Sequence, residues 1–107
     1  MKKGFYYIYT RKNNAIKVEK VAGYIIPDEK SGLTFGTRFR AGNGWEVTES
    51  STGLLISYGE KKPKNAGDIL PFIDRMREAV LSAMKSQAKY FEHIQEAIRE
   101  AKENETR

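Results

Sequence analysis

From Asp68 to Asn104 the chain runs for 37 residues without a glycine, and the one proline there, Pro71, falls in the first turn, where a helix loses no hydrogen bond to it. Ile73, Met76, Val80, Ala83, Tyr90, Ile94, Ala97 and Ala101 recur at near-heptad spacing, interrupted at Gln87, and Phe72, Ala79, Met84, Phe91 and Ile98 widen the stripe. The pattern predicts helix over 68–104, with Asp68 as N-cap. At about 1.5 Å per residue such a helix is roughly 55 Å long. A compact chain of this size has a radius of gyration of about 13 Å and is only ~35 Å across. The stripe therefore outruns what the rest of the chain can cover. Either the helix breaks near Ser86 and Gln87 and folds back as a helical hairpin, or its second half meets another chain. No glycine or proline marks a break, so the expectation is a homodimer with Tyr90, Phe91, Ile94 and Ile98 at the interface.

Residues 1–67 read differently, holding all nine glycines and nine of the twelve aromatic residues. Period-two alternation marks strands. Ile16, Val18, Ala22, Tyr24 and Ile26 fall on the even positions of one segment with Lys17 and Glu19 between them, and Leu33, Phe35, Phe39 and Ala41 on the odd positions of the next, alternating with Arg38 and Arg40. Phe5–Arg11 is a further strand whose buried side the pattern does not choose. A three-residue loop at Gly42-Asn43-Gly44 sets Phe39 opposite Val47, Arg40 opposite Glu46 and Arg38 opposite Thr48. The same parity argument sets Val47 opposite Ile56, Trp45 opposite Tyr58 and Tyr24 opposite Phe35. In that register Arg40 is held between Glu19 and Glu46, leaving Arg38 the freer cation. The expected fold is α+β, with residues 1–67 an antiparallel sheet of about five strands and residues 68–107 the long C-terminal helix or helical hairpin of the same domain.

Charge follows this division. Residues 1–67 carry 12 Lys and Arg against 6 Asp and Glu, a net +6, whereas residues 68–107 carry 7 against 8, a net −1. The basic excess belongs to the sheet. With no cysteine, the chain has no disulfide framework, thiolate metal site or cysteine nucleophile, which suits a reducing compartment and points to the cytoplasm. No apolar run approaches the ~20 residues of a membrane helix, and no membrane role is expected.

Catalytic patterns are sparse. His93, the sole histidine, shares a helix face with Glu96, which is two ligands where zinc sites use three or four. There is no glycine-flanked serine elbow and no Gly-rich phosphate loop. Pro27-Asp28 with Glu60-Lys61-Lys62 matches the loose PD…ExK pattern of metal-dependent nucleases. Here, however, the second half runs into Pro63 and reads as loop rather than central strand. No enzymatic activity, cofactor or metal is expected. What remains is recognition: Lys61, Lys62 and Lys64 cluster before the helix and Arg38 lies on the open sheet face, where several cations neutralise phosphates and interleaved aromatics stack on bases.

The segment Trp45-Glu46-Val47-Thr48-Glu49-Ser50-Ser51-Thr52-Gly53-Leu54-Leu55-Ile56 resembles a W-x-V-T-E-x-x-T-G-L-x-I strand pair of small accessory proteins from phages and other mobile elements of Gram-positive bacteria. The resemblance covers about a tenth of the chain and implies a setting, often the blocking of a host defence, rather than a reaction; it carries over no functional residue. The expectation is a non-enzymatic binding protein that contacts nucleic acid or a host nucleoprotein through its basic β-face. One alternative is a sponge for a nucleotide second messenger, with Trp45 or Tyr58 stacking on the base and Arg38 holding phosphate. Another is a structural protein acting through its C-terminal helix.

Overall fold

The computed structural model describes residues 1–56 and 61–105. Five antiparallel strands, β1 (Lys2–Lys12), β2 (Ala15–Asp28), β3 (Leu33–Arg40), β4 (Gly44–Glu49) and β5 (Leu54–Leu55), form one sheet in chain order. A 3₁₀ turn at Ala66–Asp68 leads into two helices, α1 (Ile69–Ser86) and α2 (Ala88–Glu105). The chain is α+β, as its composition and periodicity lead one to expect. Asp68 stands at the N-cap of α1, but its side chain caps nothing and instead accepts a hydrogen bond from Asn65 Nδ2 at 3.4 Å.

The β2–β3, β3–β4 and β4–β5 hairpins keep the parity of the sequence pattern, and two shift in register. Arg40 pairs with Gly44, Phe39 with Trp45, Arg38 with Glu46 and Thr37 with Val47. The loop is Ala41-Gly42-Asn43 rather than 42–44. Asn43 N–H donates to Arg40 O at 2.9 Å, and Gly42 supplies the positive φ of 82° that this tight turn requires. Gly44 also has positive φ, 81°, but belongs to β4; a Cβ there would lie 2.9 Å from Pro63 O. Likewise Ile26, not Tyr24, pairs with Phe35, because Gly32 N–H donates to Asp28 O at 2.9 Å and the turn spans only four residues. Each shift is by two, so no side chain changes face. Val47 and Ile56 meet as expected, with Ile56 N–H donating to Val47 O at 2.9 Å; Tyr58 lies outside the described residues.

The sheet curls until its two edge strands approach. Gly53, in the turn before β5, lies against β1, where a Cβ would be 3.0 Å from Tyr9 N. Two cores form on the helix side. Ile26, Phe35, Val47 and Ile56 pack with Ile69, Phe72, Ile73 and Val80 of α1. Tyr7 packs with Phe91, Ile94 and Ile98 of α2, rimmed by Tyr9, Ile16 and Val18. On the opposite face the Tyr6 ring lies over Gly36, which has no room for a side chain: a Cβ would be 2.3 Å from Tyr6 Cγ.

This arrangement corrects the expectation of one continuous helix. Gln87 leaves the helical region at φ −118°, ψ 31°, yet the backbone bonds around it survive. Gln87 N–H donates to Ala83 O, and Phe91 N–H to Gln87 O, both at 3.0 Å. A break that sacrifices so few hydrogen bonds needs no glycine or proline. It redirects α2 onto the β1–β2 half of the sheet. Phe91, Ile94 and Ile98, assigned from sequence to a dimer interface, are instead buried within one chain, and Tyr90 is half-buried at the edge of the same cluster beneath the Arg11 guanidinium, 5.4 Å from its ring centroid. No helix is long and apolar enough to cross a membrane among the described residues.

Candidate anion-binding site

Strand alternation puts Arg38 and Arg40 of β3 on the face away from the helices, and the observed register places Glu46 of β4 directly opposite Arg38. The connection after β5 closes the cluster from its other side. Trp45 N–H donates to Pro63 O at 2.9 Å, pinning the Lys61–Lys64 segment along β4. Three cations then converge on one carboxylate: Arg40 Nη1 lies 3.3 Å from Glu46 Oε1, Arg38 Nε 3.6 Å from Oε2 and Lys62 Nζ 3.9 Å from Oε1. The sequence reading of the arginines is reversed. Arg38 is the more enclosed, its side chain 25% exposed against 52% for Arg40.

Glu46 cannot satisfy all three. At 3.6 Å the Arg38 contact is an ion pair but too long for a hydrogen bond. Arg38 Nε is buried without a hydrogen-bond partner among the described residues, and so is the Tyr6 hydroxyl. Burial pushes that hydroxyl up to about 12, with Arg38 drawing it down and Glu46 raising it further. It therefore stays a neutral donor at physiological pH. An unmet buried donor costs about 1–3 kcal/mol; Arg38 Nε is itself enclosed, so an anion would meet the cluster first through the more exposed Arg40. The local balance of three positive charges to one negative favours such a ligand.

The other sequence-chosen residues fall around this cluster. Lys61 and Lys64 line, with Lys62 and the Gly42–Gly44 turn, an open depression of about 480 Å³ at the tip of the β3–β4 hairpin. Trp45 is one residue from Glu46 and so points to the opposite face, its ring 5.7 Å from that of Phe39 and 6.1 Å from that of Tyr24. The structure thus unites Arg38 with Lys62, places Lys61 and Lys64 beside them and turns the Trp45 ring away. Arg40 and Tyr6 were missed. The sequence reading holds Arg40 on Glu46, and the structure keeps that contact but adds Arg38 and Lys62 to the same carboxylate; nothing in the pattern of β1 announces that Tyr6 lies over Gly36.

The remaining candidates are structural. Asp28, the acid of the PD…ExK match, accepts both arms of Arg77, from Nε and Nη2 at 2.8 Å each, and a bond from Ser31 Oγ at 2.5 Å. The Arg77 guanidinium holds this carboxyl down at about 2. It ties the end of β2 to α1, with three hydrogen bonds on its two oxygens; Glu60 lies outside the described residues. Glu49 is buried, its pKa raised by desolvation, and it is held by the backbone N–H and hydroxyl of Ser51. His93 is exposed on α2, and no group of three potential metal ligands occurs among the described residues. A cleft of about 410 Å³ between α1 and β5 is lined chiefly by apolar groups of Tyr9, Leu54, Ile56, Met76 and Val80. Neither Arg38 nor Trp45 borders it. Comparison with protein-family models, curated proteins and solved structures finds no match to this chain.

Proposed function

We propose that this chain is a non-enzymatic binding module that takes nucleic-acid phosphates on Arg38, Arg40 and Lys62, extended at the hairpin tip by Lys61 and Lys64. The observation that supports the reading is the convergence of three cations on Glu46, with Arg38 Nε in an ion pair too long to be a hydrogen bond. A net charge of +6 over the first 67 residues supports a polyanion over an acidic mimic's basic target. A role as an accessory protein of a mobile element draws only on the Trp45–Ile56 resemblance. The nucleotide-sponge alternative loses support because Arg38 and the Trp45 ring lie on opposite faces.

Fluorescence anisotropy with a labelled oligonucleotide tests this. If all five cations touch phosphates of a single strand, log affinity falls against log salt with a slope of roughly −3.5. Lys61→Glu, Lys62→Glu and Lys64→Glu together flatten that slope by about 2. Binding that is independent of salt, or unchanged in the triple variant, overturns the proposal.

A further inference from the structure

The curled sheet extends past its helices, and the part they leave open is aromatic. On the helix side, beyond the two cores, Phe5 of β1 is 64% exposed and Phe39 of β3 is 58% exposed. Both are large apolar rings, whereas Tyr7 of β1 and Phe35 and Thr37 of β3 on the same face are buried. Phe5 pairs with the exposed Ala22 across β1–β2, and Phe39 pairs with Trp45 across β3–β4. Tyr24, half-buried, stands against Trp45. These rings share one face and span four strands, roughly 14 Å at the usual strand spacing. Between Phe5 and Tyr24 an open depression of about 420 Å³ is bordered by Lys3, with Ala22 and two glycines lining it. Lys20 Nζ sits 4.6 Å from the Phe5 ring centroid.

We infer that this face is a stacking platform for the bases of single-stranded nucleic acid. The inference rests on the phosphate-binding reading and deepens it by naming the strandedness of the ligand. Exposed aromatic rings on a sheet surface offer π-faces that unpaired bases stack on and that a duplex, with its bases already stacked, cannot reach. Charge complementarity selects the occupant. Lys3 borders the rings, and Lys61 and Lys64 lie at the hairpin tip, while Lys20 is already paired with Glu105 at 3.3 Å. A second copy of this chain would bring the same lysines face to face, whereas a phosphate backbone neutralises them. A single strand crossing the tip places its phosphates on the cations and its bases on Phe39, Trp45, Tyr24 and Phe5.

The test compares three probes of equal length: oligo(dT), an abasic deoxyribose-phosphate oligomer and a duplex. Trp45 is the sole tryptophan, so its emission reports contact directly. The expected result is that oligo(dT) quenches Trp45 and binds at least about tenfold more tightly than the abasic oligomer. Phe39→Ala and Phe5→Ala remove that preference without weakening abasic binding, while Phe39→Tyr keeps it. Both positions are exposed, so unaltered thermal melting confirms the variants are folded. Equal affinity for oligo(dT) and the abasic oligomer overturns the platform and leaves the cation cluster standing. Tighter binding of the duplex than of oligo(dT) overturns it too, as does a change of oligomeric state in Phe39→Ala. Failure of all three probes to bind removes the phosphate reading itself.

Discussion

Truncating Ile94 separates a helix folded back on its own sheet from one that seeks a partner. Ile94 is fully buried between Tyr7, Phe91 and Ile98. Ile→Ala at such a site costs about 2–5 kcal/mol, made up of lost transfer energy and the cavity left behind. Ile94 belongs to the smaller of the two cores, which can partly collapse through α2, so about 3 kcal/mol is the reasoned figure. Whole-domain stability is of order 5–15 kcal/mol. Near 100 residues each kcal/mol moves Tm by about 4 °C or more, so Ile94→Ala should melt ~12 °C lower. Circular dichroism melts at protein concentrations differing ~20-fold, read with light scattering, make the assay. The fold requires the same drop at both concentrations and no change in particle mass. A variant that melts like the parent but falls from dimer to monomer would refute the reasoning, because the buried face of α2 would then belong to an interface.

Further outcomes follow from other contacts. Gly36→Ala forces the Tyr6 ring off β3 and should destabilise by at least about 1–3 kcal/mol in urea unfolding; in a double-mutant cycle, Tyr6→Ala should absorb much of that cost. Asp28 has a folded pKa of about 2, below its unfolded value of ~3.9. Its contribution is therefore complete above pH ~4 and lost as pH falls toward 2. Asp28→Asn should show no such loss across that window in acid titration of Tm, and a parallel pair of curves would contradict the Arg77 tie. Glu49, raised by burial, acts in the opposite sense, so the difference between parent and Asp28→Asn is the quantity to read. Glu46→Gln removes the carboxylate that competes with phosphate; oligonucleotide affinity should rise several-fold, with a steeper salt slope.

Periodicity in the sequence identifies which face the residues of β2, β3 and β4 occupy, and the structure keeps that assignment; in β1, where Tyr6 and Tyr7 are buried on opposite faces, it does not. It does not identify register, because a loop starting one residue earlier on one strand and ending one earlier on the other preserves parity while exchanging partners. That is why Arg38 meets Glu46 rather than Thr48. Nor does it identify coverage. Phe39 alternates in phase with Phe35, yet Phe35 lies under α1 and Phe39 beyond its reach. The helix break left a faint trace. Gln87 interrupts the apolar stripe at the residue where the helical dihedrals fail, but length arguments alone could not choose between a hairpin and a dimer. Tertiary packing decides it, with α1 covering Ile26, Phe35 and Val47 and α2 covering Tyr7 beside Ile16 and Val18, and no local pattern records how a twisted sheet presents those two halves.

The most direct test of the binding account is an amide ¹H–¹⁵N chemical-shift map of the chain titrated with oligo(dT). Binding as derived moves the resonances of Arg38, Arg40, Gly42 and Gly44, the Lys61–Lys64 segment and the Trp45 indole, and leaves Phe91–Ile98 of α2 in place. Shifts confined to α2, or to the apolar cleft around Tyr9 and Met76, would contradict it.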